Sequence, residues 1–180
     1  MPPATIDDVL ERYHTLCQWC DRFYGAVHER LGEHMQCGRG CWFCCTMKSV
    51  SQLEAHAIRE YLEDLEAVPS STAVNEYSSG ACPMLADGEC AIYPVRPVIC
   101  RTHGVPMRHG EDGNIGSCRM NFEKLDLDTV DPSLVLDERK LTENLMRLNV
   151  AYCRLCGLDD SPDGRVLFTE LLDQARPADT

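Results

Sequence analysis

Four thiols fall within nine residues at Cys37-x3-Cys41-x2-Cys44-Cys45. In a tetrahedral thiolate site the metal to sulfur bonds are ~2.3 Å and the sulfurs stand about 4 Å apart, so a two- or three-residue spacer lets one loop curl around one ion. The adjacent pair behaves differently: the side chains of Cys44 and Cys45 leave the backbone in divergent directions, which gives one of them more naturally to a second metal or a cluster. Further ligands are then needed, and Cys82, Cys90, Cys100 and Cys118 follow downstream. Eight thiols complete two four-sulfur sites, or one polynuclear cluster with spare or bridging ligands. An all-sulfur donor set suits both Zn2+ and an iron-sulfur cluster, so the spacing leaves the metal open.

Four more cysteines form a second tier. Cys17-x2-Cys20 and Cys153-x2-Cys156 each lie in a helical pattern, where a three-residue step puts both thiols on one face. They read either as a separate metal site tying the ends of the chain or as small hydrophobic residues in a helix interface. A redox pair at Cys17-Gln18-Trp19-Cys20 lacks the preceding strand that would set its thiol at a helix N-terminus. His103, three residues after Cys100, is the one histidine with ligand-like placement. Arg96 and Arg101 flank Cys100 and can donate to thiolate sulfur or offset its charge, or form ordinary ion pairs. No catalytic residue stands out.

The rest of the composition says what the twelve cysteines in 180 residues are for. A disulfide framework belongs to small secreted chains that lack a core, whereas 44% of these residues are hydrophobic. The start, with Asp7 and Asp8 and no basic or apolar run, predicts no signal peptide, and no stretch approaches the ~20 apolar residues of a membrane span. The expectation is a cytoplasmic protein with reduced thiols. A net charge of −12 predicts no nucleic-acid partner and disfavours an anionic membrane surface, leaving metal ions as the expected partners. Eight thiolates would take that charge to −20, so cationic metal becomes part of how the chain can fold.

The elements that must position these thiols are mainly helical. Thr5 and Asp8 make a capping box for a long amphipathic helix over 5–31, and Ser51 with Glu54 caps a second that ends by Pro69. Residues 69–81 read as a flexible connector, and 82–118 as loops with at most a short hairpin. Helix returns over 137–156, closed by Gly157, and Ser161-Pro162 predicts a last short helix through Val166, Leu167 and Leu171. A flexible tail follows from 176. The fold class is therefore mainly α: a small helical single domain, 1–180, packed around a loop-rich, cysteine-ligated metal centre at 37–118.

The run Cys37-x3-Cys41-x2-Cys44-Cys45, followed by Cys82-Pro83-Met84-Leu85, Cys90-x-Ile92-Tyr93 and Arg96-Pro97-x2-Cys100-Arg101, resembles the CxxCxxCC family of bacterial cysteine-cluster proteins. The resemblance covers roughly 37–118, with a first spacer of three residues where the family name has two. It implies a zinc- or iron-chelating domain, and similar motifs occur in flagellin lysine methylases. Three functions follow as expectations: an iron-sulfur protein with a redox role, a structural zinc domain acting through partners or metal handling, and an enzyme whose centre keeps an open coordination position.

Overall fold

In the computed structural model the residues described are 5–38, 40–65, 80–110, 113–161 and 164–175. The first helix, α1 (Ile6–Leu31), starts as its sequence dictates: the Thr5 hydroxyl accepts the Asp8 N–H at 3.1 Å and the Asp8 carboxylate accepts the Thr5 N–H at 3.1 Å. Its buried face is Val9, Tyr13, Cys17, Cys20 and Val27, one stripe at helical spacing. The buried stripe is narrower than the run of apolar residues at helical spacing, because Ile6 is exposed and Leu10, Leu16, Phe23, Tyr24 and Leu31 are only half-buried.

The chain forms two compact units, Met1–Gly38 with Val98–Ala151 and Arg39–Pro97 with Tyr152–Thr180. In the first, α1 packs on the short helix α3 (Val98–Thr102). Strand β4 (Met107–Arg108) pairs antiparallel with β5 (Ile115–Gly116) and parallel with β6 (Leu136–Asp137). In the second, α2 (Gln52–Glu63) packs on α5 (Phe168–Ala175), and β1 (Ser49–Val50) pairs antiparallel with β7 (Val166–Leu167). Their shared core is built from Val50, Ile58, Leu62, Met84, Phe168 and Leu172. The Ser51–Glu54 capping box is present, with the Ser51 hydroxyl donating to the Glu54 carboxylate at 2.8 Å.

The mainly α class is as expected, and the expected hairpin is β2 (Leu85–Ala86) with β3 (Glu89–Cys90). Asp87 and Gly88 between them both have positive φ, 50° and 76°, which is the two-residue turn that matches strand twist. A second local pairing, β4 with β5, lies in the same stretch, while β1–β7 and β4–β6 join residues far apart in sequence; all are two residues long, too short to show a period. One expectation changes: Val166 and Leu167 are strand, and the last helix starts at Phe168. The Glu170 carboxylate caps it by accepting the Leu167 N–H at 3.0 Å, while the Phe168 N–H donates to the Lys48 carbonyl at 2.9 Å. Pro162, Pro69, most of the 69–81 connector and the tail from 176 lie outside the described residues.

Helix α4 (Glu138–Cys156) ends at Gly157, whose φ of 66° turns the chain out of the helix, and the Leu158 N–H closes back on the Cys153 carbonyl at 2.8 Å.

Candidate metal centre

In the second unit, a tight turn brings the Cys45 N–H onto the Trp42 carbonyl at 2.8 Å, and Cys45 packs against the apolar core. The Cys45 carbonyl in turn accepts the Cys82 N–H at 2.7 Å, which ties the four-thiol loop to the segment entering the β2–β3 hairpin. Register then matters: Leu85 faces Cys90 across the hairpin, so Cys90 returns beside Cys82. Burial pushes the Cys82 thiol up to about 11, with the neighbouring Cys90 adding to the rise and Lys48 opposing it. The Cys90 thiol is raised by burial too, against the pull of Arg96. Both sulfurs accept a backbone N–H from the residue two further on, Met84 for Cys82 and Ile92 for Cys90. Lys48 also donates to the Ala81 carbonyl, and the Arg96 guanidinium lies 4.1 Å over the Tyr93 ring. Cys41 and Cys44 are half-buried in the same loop.

The first unit holds Cys37, Cys100 and Cys118. Cys118 opens a turn whose Asn121 N–H returns to the Cys118 carbonyl at 2.8 Å. The Asn121 side chain is buried; its Nδ2 donates to Cys37 Sγ at 3.1 Å and to the Gly104 carbonyl at 2.8 Å, and its Oδ1 accepts the Gln36 N–H at 2.8 Å. Cys37 and Cys118 are thereby brought to one place around Gly104. Cys100 is exposed on α3 and His103 follows that helix half-buried.

The second-tier cysteines are of another kind. Cys17 and Cys20 lie on the buried face of α1, and burial pushes the Cys20 thiol up to about 12, with Cys17 next in effect. Arg101 stands by Cys20, its side chain 8% exposed and paired with Asp21 at 2.6 Å, a more buried partnership than a surface pair. Cys153 is fully buried, with its thiol raised by burial, and Tyr152 is pushed up to about 12 by burial and by its hydrogen bond to Cys156.

The raised Cys20 thiol has a pH consequence. A thiol raised in the folded state favours folding while neutral, so its contribution is complete below the ordinary thiol value of 9.0 and is lost as pH climbs toward about 12. Denaturant midpoints should therefore fall across that alkaline window, and Cys20→Ala should flatten the fall.

Among the described residues, which include every cysteine, there is no disulfide. No three histidine, cysteine, aspartate or glutamate residues among them form a ready metal-holding group; the thiols meet in smaller sets. The donors still fit a thiophilic metal by chemistry: sulfur only, partly buried, with N–H groups directed at Cys37, Cys82 and Cys90 and cationic side chains beside Cys82 and Cys90.

Short loops presenting clustered thiols on a mainly helical frame define a cysteine-cluster class of protein. Residues 36–115 match the family model CxxCxxCC, described as "Putative zinc- or iron-chelating domain". No curated protein and no solved structure matches the chain. Among the described residues no helix is long and apolar enough to cross a membrane.

Cys118 and Asn121 lie beyond the matched segment. Sequence reading missed Asn121, Gly104 and Lys48, and it did not foresee that Arg101 stands beside Cys20. The position of Asn121, three residues after a candidate ligand, is the one sequence signal that pointed its way.

Proposed function

We propose that this protein binds zinc or iron through loop thiolates, with Cys37, Cys100 and Cys118 as ligands in the first unit and Cys41, Cys44, Cys45, Cys82 and Cys90 in the second. The observation that carries this reading is the pair of backbone N–H groups, from Met84 and Ile92, donated to the sulfurs of Cys82 and Cys90. A neutral thiol is a weak acceptor, whereas a thiolate gains much from such a donor. Burial alone would keep both thiols protonated. A metal cation reverses that balance by replacing the protons, so the same burial that disfavours a bare thiolate favours a ligated one. Bound metal supplies folding free energy or, as an iron-sulfur cluster, a site for electron transfer.

In this reading the acidic, reduced chain works in the cytoplasm. Its buried second-tier cysteines are packing residues, since Cys17 and Cys20 extend the apolar stripe of α1 and Cys153 is fully enclosed. Cys153→Ala should leave the metal count per chain unchanged, and a fall in the count would place a ligand there. The direct test is anaerobic purification with visible absorption and determination of iron, zinc and sulfide. A brown protein that bleaches on reduction assigns the redox role, and a colourless one with stoichiometric zinc assigns the structural role. Metal at background level overturns both.

A further inference from the structure

We propose that Asn121 is a positioning residue for metal ligation by Cys37, holding its sulfur at the junction with Cys118 and donating an N–H to it; this rests on the thiolate metal-binding reading above. The amide has one orientation available. Its Oδ1 must face the Gln36 N–H, because a reversed amide would set two donors against each other, so Nδ2 necessarily faces Cys37 Sγ and the Gly104 carbonyl. At 3% exposed, Asn121 is closed off from bulk solvent. One side chain therefore fixes both the backbone entering Cys37 and the Cys37 sulfur, and its own N–H holds the Cys118 carbonyl. The next residue continues the clamp, with the Phe122 N–H donating to the His34 carbonyl at 2.7 Å.

Gly104 completes the fit. A Cβ there would stand 2.8 Å from both Asn121 Nδ2 and Cys37 Sγ, so the absence of a side chain is what allows amide and sulfur to meet. The Nδ2–H to sulfur bond favours the ligating thiolate over the thiol, and the two backbone bonds keep that donor from turning away.

Asn121→Asp tests this with little change of shape: its carboxylate still accepts the Gln36 N–H but faces the sulfur with an acceptor. Zinc affinity of the whole chain is read by competition with a chromophoric chelator, and cobalt(II) loading gives the sulfur-to-metal charge-transfer band. Loss of an outer partner of a ligand costs about 10–100-fold in metal affinity. Asn121→Asp is expected to weaken zinc by that range and to shift the cobalt band, whereas a merely structural residue would lower the melting temperature and leave the band of the folded protein in place. Asn121→Ser, whose hydroxyl is one bond shorter than the amide and stops short of the Cys37 sulfur, covers the case in which the aspartate variant does not fold, and it too should weaken zinc and shift the band. Cys37→Ser supplies the reference, and adding Asn121→Asp to it should weaken zinc no further. Wild-type protein that takes up neither zinc nor cobalt defeats the metal-binding reading and this inference with it. Wild-type uptake with unchanged affinity and band in the Asn121 variants defeats the inference alone.

Discussion

Gly104→Ala is expected to destabilise the protein by about 2–5 kcal/mol and to lower its metal content. Gly104 has a φ of +94°, where an L side chain costs roughly 1–2 kcal/mol. The added methyl also meets Asn121 Nδ2 and Cys37 Sγ at 2.8 Å, and forcing atoms into a packed site costs about 1–3 kcal/mol more. Neither neighbour can yield cheaply: the amide is tied to Gln36 and to the Gly104 carbonyl itself. Equilibrium denaturation with metal analysis of the folded fraction checks this. Alanine at Gly40 is the useful comparison, because its φ is also positive, +84°, but nothing lies within 4 Å of the added Cβ. That variant should lose only the backbone part of the cost.

Cys82→Ser is expected to have the larger effect wherever metal is present. Serine keeps nearly the same volume and an acceptor for the Met84 N–H, so what it chiefly removes is thiolate ligation. The price of burying a hydroxyl in place of the thiol is about 1–3 kcal/mol. Structural metal binding supplies far more, roughly 10–16 kcal/mol in small zinc domains at neutral pH, and losing one ligand forfeits part of it. Thermal unfolding of wild type and variant, each with and without a strong chelator, separates the two contributions. The gap between them should be wide with metal and should shrink to the hydroxyl cost once the chelator has stripped both. Equal gaps under the two conditions would mean that Cys82 is a core thiol.

How much of this was readable in the chain follows from how local each feature is. The capping boxes at Thr5 and Ser51 and the Gly157 stop depend on residues three to five apart, and the structure has each as the sequence implies. Asp87-Gly88 marks its hairpin for the same reason. Val166 and Leu167 continue an apolar pattern that suits a helix; pairing with Val50 and Ser49 makes them strand, a contact more than a hundred residues long that no window can show. The candidate ligands were legible as spacings, yet their surroundings were not. The bond from Asn121 to Cys37 spans 84 positions. The helical cysteines divide likewise: Cys17 and Cys20 share one face of α1 as their spacing requires, but only packing shows that face to be interior and Cys20 to lie against Arg101.

The claim that the loop thiols hold a metal is tested most directly by counting zinc, iron and inorganic sulfide per chain in protein purified without oxygen. The expected result is at least one zinc or iron per chain, reduced in Cys82→Ser and retained in Cys153→Ala. Zinc and iron both at background level in folded wild-type protein would contradict it.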